Sequence, residues 1–325
     1  PRPITVCQKS PPGFYDDAPF AGLSSRERDV LAVASSGGSS HYVDVCPDRR
    51  ANKSLRNIIN PMTNNAASAP TFEEWTGEAS PQAVSILSGK GGLIVSPTKV
   101  GYILMATDGE GLERKFDAKQ RKRQKPGVVL CGSMEQLEAL AQLTPEIRDF
   151  YQKHWDEDIL LGCILPWRED AEKYLPDETT KELARDTRAT SCFVIRFGVP
   201  GEQIVRKLWE GGRLTFASSA NPSGIGNKGR ASGIGERIES SVDLIIRSDE
   251  YVKSIQPDKS EETRHEQGVM VSMVDDEGKI VPEQHGERGV TPAPVLIRKG
   301  LDYEAIMRHL SDSFPSWDYR HGMYY

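Results

Sequence analysis

The sequence predicts an α/β fold, and three observations carry that reading. Short apolar runs bounded by Gly and Pro, such as GLIVSP (92–97) and SCFVIRFGVP (191–200), have the length and the bounds of buried strands. Amphipathic stretches with start and stop signals lie between them, as in PQAVSILSG (81–89) and GEQIVRKLWEGG (201–212). The two kinds alternate from about residue 70 onward, as in a sheet flanked by helices. With 325 residues and 37% hydrophobic content, the chain can build a sizeable core and still leave an arm, loops and a tail.

Residues 1–66 are rich in Pro, Gly, Ser and Asn, as in PPGFYDDAPF and ASSGGSS. A short helix over 24–34 and a strand over 41–45 are expected there, within a partly irregular N-terminal arm. Ser80-Pro81 caps and starts the first clear helix, with Ala83, Val84, Ile86 and Leu87 on its apolar side. Ser133 with Gln136 forms a capping box, and Thr144-Pro145 repeats the device ahead of EIRDFYQKHW. His154 on that helix reads either as a ligand or as a helix-end residue whose positive charge suits the dipole. Residues 166–190 read as a charged surface loop, and 252–268 as a loop or lid. A strand running into a small-residue loop is expected over 213–224, and strands over 242–248, 269–275 and 294–300. The body spans 67–301, and 302–325 forms a C-terminal helix and an aromatic tail.

Charge gives the first functional signal. Lys+Arg total 41 against 47 Asp+Glu, yet Arg114–Lys125 carries seven bases and one acid, Asp117. A focused positive run between two strand candidates is a sound place to hold phosphate, carboxylate or a nucleic-acid backbone, and a solvated helix end or loop fits it equally. The five cysteines form no CxxC pair and the six histidines no HExxH, so neither a disulfide framework nor a zinc site is expected. No run approaches the ~20 apolar residues of a membrane span. The first residues, PRPITVCQKS, lack the apolar core of a secretory signal, so a cytoplasmic protein is expected.

GIGNKG (224–229) matches GxGxxG by letters, but it follows a small-residue loop and no long amphipathic helix follows it, so it does not read as a dinucleotide site. SSANPSG (218–224) places small polar groups after a buried strand. It fits either an anion-binding loop or an ordinary Asn-Pro-Ser-Gly turn. The acids at 156–158 and 168–170 could hold Mg²⁺ or be solvated charge.

Taken in order from residue 80 to residue 300, these stretches resemble the YrdC-like family of threonylcarbamoyl-AMP synthases. Pro97, Thr98, Tyr102 and Leu104 match the family's PT-[DE]-T-x-Y-G-L opening. Lys119, Arg121, Lys125 and Pro126 match its basic K-x-R motif, and Arg196 its R-x-P strand. SSANPSG is similar to its S-A-N-x-S-G loop, and Arg298 with Gly300 to its final R-x-G. The departures are Lys99-Val100 for the acidic-Thr pair, Ile103 for the Gly after Tyr, Trp155-Asp156-Glu157-Asp158 for W-P-G-P, and VSMVD for S-T-V-x-D.

The resemblance implies a twisted mixed sheet flanked by helices, in a single main domain with an N-terminal arm and a C-terminal tail. It implies a nucleotidyltransferase that makes a carbamoyl-adenylate, most simply threonylcarbamoyl-AMP for tRNA modification. The substrates would be ATP with Mg²⁺, bicarbonate and a small amino acid. Lys119 and Arg121 would be catalytic. Lys125, Pro126, Arg196, Ser219, Asn221, Ser223 and Arg298 would hold nucleotide and phosphate, and Thr98, Tyr102 and Ser272 the substrate. Two alternatives stand beside it. One is the same chemistry on another amine, a cationic one if the acids at 156–158 face it. The other is a non-catalytic RNA- or nucleotide-binding protein that uses the basic patch.

Overall fold

The computed structural model describes residues 70–120, 123, 126–222, 224–260 and 263–320. The helix and strand expected within the N-terminal arm lie outside the described residues, as do Arg121, Lys125 and Ser223. The elements are β1 (Thr71–Glu74), α1 (Pro81–Ser88), β2 (Ile94–Thr98), β3 (Gly101–Ala106), α2 (Gly109–Lys119), β4 (Val128–Leu130) and α3 (Met134–Leu140). Next come α4 (Pro145–Asp156), β5 (Leu161–Pro166), α5 (Glu178–Ala184), β6 (Thr190–Ile195), α6 (Val199–Glu210), β7 (Thr215–Ser219) and α7 (Glu236–Glu239). The chain ends with β8 (Leu244–Arg247), α8 (Asp249–Ile255), β9 (Val269–Ser272), β10 (Val295–Arg298), α9 (Tyr303–Ser313) and β11 (Asp318–Tyr319). Among the described residues, no helix is long and apolar enough to cross a membrane.

Among the described residues eleven strands form one mixed sheet, ordered β1-β8-β2-β3-β7-β4-β6-β5-β9-β10-β11. The helix starts follow local rules. Ser80 Oγ accepts from Ala83 N at 3.0 Å, Ser133 Oγ from Gln136 N at 3.1 Å and Thr144 Oγ1 from Ile147 N at 3.3 Å. Each such cap stabilises its helix by about 1 kcal/mol.

Helices α3, α4 and α9 cover one face of β4, β6, β5 and β9, where Phe150, Tyr151, Phe193, Val271, Leu310 and Phe314 are fully buried. Helices α1 and α6 pack Leu87, Ile204 and Leu208 on Ile94, Met105 and Leu244. Ile238 and Val252 of α7 and α8 close the other side of β2 and β3 against Val95 and Leu104.

Two expected loops are partly helical. The first half of the basic run is α2, capped by Asp108, whose Oδ1 accepts from Gly111 N at 2.8 Å. Arg114 pairs with Asp243 at 2.8 Å, and Lys115 and Lys119 are buried, the Lys115 ammonium included. Within 166–190, α5 buries Leu183 and Ala184, and its cap Asp177 also accepts from Gly109 N at 3.2 Å, tying it to α2.

His154 is no helix-end cation. It is fully buried between α4 and α9, with Nδ1 2.6 Å from the Phe150 carbonyl and its ring edge-on to His309 at 5.0 Å. His309 Nε2 in turn lies 2.9 Å from Glu157 Oε2. Burial pushes the His154 imidazole down to about 4, against the Phe150 carbonyl, which acts the other way. Below pH 6.5 the unfolded chain takes a proton at His154 that the folded chain refuses, so stability rises with pH between about 4 and 6.5. That window is worth about 3 kcal/mol at this site. Urea unfolding at pH 4 and pH 7 should show the loss in the wild-type protein, and His154→Leu should remove that part of the slope.

Candidate functional site

The face of β4, β6, β5 and β9 opposite α4 and α9 is the floor of a cavity of about 220 Å³. Val128, Leu130, Cys192, Val194 and Met270 lie on that floor. Thr98 and Val100 of the β2–β3 turn, the loop after β7, segment 264–268 and Arg298 line its rim. Among the described residues the lining includes two arginines and one histidine and no Asp or Glu. In a chain with more acids than bases, that local inversion fits an anion.

The expected convergence of the basic run and the small-residue turn is met through Lys119. Its ammonium donates to the Ser219 carbonyl, to Ser219 Oγ at 3.2 Å and to the Asn221 carbonyl at 3.0 Å. These bonds match the three donors of a lysine, so Lys119 holds the turn in shape from α2. Asn221 Nδ2 donates to the Ile225 carbonyl and closes the same loop.

Three glycines let the rim segments approach. A Cβ at Gly226 would stand 2.6 Å from Arg264 Cδ, and one at Gly229 would stand 2.2 Å from His265 Nε2. A Cβ at Gly300 would stand 1.9 Å from the Gln267 carbonyl oxygen. The GxGxxG letters are thus explained by loop packing: Gly226 and Gly229 seat Arg264 and His265. Asn227 joins three segments. Its Nδ2 donates to the Val100 carbonyl at 2.8 Å, its Oδ1 accepts from Gly229 N at 2.8 Å, and its carbonyl accepts from His265 N at 2.9 Å. Burial lowers the His265 pKa, which keeps that imidazole neutral at physiological pH.

Of the residues expected at the site, Thr98, Tyr102, Pro126, Ser219, Asn221 and Arg298 line the cavity, and Lys119 reaches it through the turn. Arg298 Nε donates to the Gly268 carbonyl at 2.9 Å, which holds the β9 edge. Two expected residues are not brought in. Arg196 has a φ of 52°, lies over the Trp155 ring at 4.0 Å and donates to the Trp155 carbonyl at 2.8 Å. Ser272 donates to the Val274 carbonyl at 3.1 Å and lines a separate cavity with Ile164 and Asp275.

Two hydroxyls expected to meet substrate are held by the fold. Tyr102 OH lies 2.5 Å from Asp249 Oδ1 and accepts from Ser248 N at 2.9 Å, and burial with the Asp249 contact holds its pKa far above the usual phenol range. Thr98 Oγ1 donates to the Gly101 carbonyl at 2.8 Å and accepts from Val100 N at 3.3 Å.

Lys99, Asn227, Arg264 and His265 escaped the sequence reading. Lys99 is buried. Its ammonium meets the Asp158 carbonyl and stands 2.9 Å from Asp158 Oδ2, while its backbone N donates to the Phe197 carbonyl at 2.9 Å. The expectation that the acids at 156–158 await a cationic substrate is corrected at Asp158, which the chain's own lysine occupies. Likewise Asp170 pairs with Arg168 at 2.9 Å. Among the described residues no cluster of three or more His, Cys, Asp or Glu could hold a metal.

The structure is thus a mixed α/β sheet with a cavity on one face, whose described lining carries two arginines and a histidine. The family model Sua5/YciO/YrdC, described as telomere recombination, matches residues 87–259, more than half of the chain. The chain belongs to that family. It is similar to the hypothetical protein smu.1377c from Streptococcus mutans UA159, with 61% identity and a TM-score of 0.74, covering 79% of this chain and 100% of that one. P. abyssi Sua5 aligns at 25% identity with a TM-score of 0.48, covering 70% of this chain and 58% of that one. E. coli YciO aligns at 19% identity with a TM-score of 0.49, covering 71% and 95%. No curated protein matches the chain.

Tyr102→Phe removes a donor to Asp249 and an acceptor for Ser248 N. It should lower unfolding stability by about 1–3 kcal/mol in urea titration, because a buried group is left unsatisfied. Gly300→Ala cannot be absorbed by a side-chain shift, since backbone lies in the way. It should cost about 1–3 kcal/mol in the same measurement.

Proposed function

We propose that the chain is an adenylate-forming nucleotidyltransferase that joins an amino-acid carbamate to the AMP moiety of ATP and releases pyrophosphate. The observation that supports this most is the cavity itself: cationic side chains and a small-residue turn meet over an apolar floor, and no carboxylate of the described residues lines it. The amine and bicarbonate combine to a carbamate and water. A carbamate oxygen then forms a bond to the α-phosphorus, the bond from that phosphorus to the bridging oxygen breaks, and pyrophosphate leaves with the electron pair. No protein nucleophile is needed. The protein's task is to hold two anions together and to offset charge as it develops.

Arg264 and Arg298 serve as planar forks for phosphate or carboxylate oxygens. Lys119 adds charge behind the turn and presents Ser219 and Asn221 to the nucleotide. By the resemblance alone, Arg121, Lys125 and Ser223 are assigned to phosphate; Pro126 lines the cavity. Arg196 acts indirectly, by holding Trp155. Ser272 has no part in the cavity. The lining offers Mg²⁺ no carboxylate, so the ion would be carried by the nucleotide's own phosphates. Threonine is the simplest acceptor by family, and threonylcarbamoyl-AMP, destined for tRNA modification, its product.

Arg264 is the sharpest test, because its guanidinium makes no ion pair with any described residue and its stem lies on Gly226. Arg264→Ala should lower kcat/KM for pyrophosphate release by about 10²–10³ with the unfolding midpoint unchanged. Steeply salt-dependent RNA binding, with no pyrophosphate from ATP and any amine, would replace this reading with that of a binding protein.

A further inference from the structure

Lys99 sits in the β2–β3 turn between Thr98 and Val100, which line the cavity, and its own buried ammonium meets Asp158 Oδ2 at 2.9 Å. Its backbone is held on both sides as well. Its N–H donates to the Phe197 carbonyl at 2.9 Å, and its carbonyl accepts from Gln256 Nε2 at 2.9 Å. A Cβ at Gly198 would stand 3.0 Å from Lys99 N, and Gly198, with a φ of 130°, lets the chain after β6 pass that close.

Asp158 is a junction. Its carbonyl and its Oδ2 both meet Lys99, and its Oδ1 stands 3.7 Å from Arg196 Nε. Burial raises the Asp302 pKa, Lys99 opposes that shift and Asp158 adds to it, so both charges reach Asp302. Among the described residues six non-glycine residues have a positive φ, and three of them gather here: Asp158 at 54°, Arg196 at 52° and Asp302 at 58°. Left-handed backbone at an arginine is uncommon and persists only where its surroundings fix it. Stability does not account for the ion pair. The Asp158 side chain is 64% exposed and stays hydrated on its own, and a methionine would fill the Lys99 space without dehydrating a charge. What the pair supplies is a fixed register between the turn and the segment ahead of β5.

The turn in its place sets the rim. The Val100 carbonyl accepts from Asn227 Nδ2 at 2.8 Å, and the Asn227 carbonyl accepts from His265 N at 2.9 Å, next to Arg264. Resting on the adenylate-forming reading above, we propose that Lys99 is a positioning residue of the cavity. Held by Asp158, it places the β2–β3 turn, and through Asn227 it places Arg264 for the nucleotide's phosphates.

Calorimetric binding of ATP with Mg²⁺ to the full chain tests this, beside unfolding in urea. Lys99→Met, which keeps the buried stem and removes the charge, should raise the ATP Kd by about 10-fold. Asp158→Asn, which suits the left-handed backbone, should raise it too. The double variant should bind no worse than Lys99→Met alone, because the two residues act as one unit. Arg168→Met, which breaks a surface pair with Asp170 of the same 2.9 Å length, should leave the Kd unchanged. A Kd that Lys99→Met leaves alone, whatever the unfolding midpoint does, overturns the inference while the adenylate-forming reading stands, and so do losses that multiply in the double variant. A wild-type chain that neither binds ATP nor releases pyrophosphate with any amino acid overturns that reading, and this one with it.

Discussion

The cavity depends on one constraint: at Gly226, Gly229 and Gly300 segment 264–268 comes closer than a Cβ would permit, through the Arg264 and His265 side chains at the first two and through the Gln267 backbone at the third. Segment 264–268 is pressed against the loop after β7 at Gly226 and Gly229, and against the end of β10 at Gly300. Remove that closeness and Arg264, His265 and Gln267 no longer border the floor. Asn227 then locks the arrangement by bonding to the β2–β3 turn on one side and to His265 on the other. The rim is therefore held by backbone geometry and amide hydrogen bonds. Its arginines need not maintain it by ion pairing, which leaves Arg264 available to a ligand.

The chain's own lysines do structural work around this site. Lys119 reaches from α2 to fix the turn at Ser219 and Asn221, and Lys99 reaches from the β2–β3 turn to Asp158 ahead of β5. Both are nearly buried, and both satisfy backbone carbonyls as well as their other partners. A buried ammonium that met only a carboxylate would recover little of its lost hydration. Added carbonyl bonds offset more of that loss, so each lysine acts as a cross-link between segments far apart in sequence. Arg196 follows the same pattern, with an indole face and a carbonyl as partners. The basic run is thus less a patch than a set of anchors, at least over its helical half.

What was legible in the sequence was local. Caps at Ser80, Ser133 and Thr144 could be read because a cap is settled within four residues. The apolar periodicity of α4 and α6 was equally plain. The α2 helix was hidden because its long basic side chains were read as exposed charge, whereas their stems are buried. Strands β1 and β11 are short edge strands with exposed residues, and neither alternation nor apolarity marks them. Motif letters pointed to the turn at Ser218–Asn221 and to Arg298, and these line the cavity. They could not tell that Arg196 and Ser272 face other neighbours, because which way a side chain turns is set by partners such as Trp155 that no local pattern names. Arg264 carried no signal of its own; Gly226, which makes room for it, sat in a motif that matched something else.

The departures from the family pattern are not scattered. Lys99, Val100 and Ile103 lie on one hairpin, and Asp158 lies in the segment that replaces W-P-G-P. Lys99 and Asp158 meet at 2.9 Å, so the new base and the new acid answer each other. Random loss of a site would leave a buried lysine without a counter-charge, a costly state that shifts toward deprotonation or unfolding. Lys99 instead has its counter-charge in Asp158, so the two positions are physically coupled in this chain. Val100 and Ile103, flanking that pair, turn to the cavity, while the turn at Ser219 and the arginine at 298 keep their places on its rim. The end of the cavity at Ser219 and Arg298 thus keeps the residues of the family pattern, whereas the hairpin end carries a different set held together by its own ion pair.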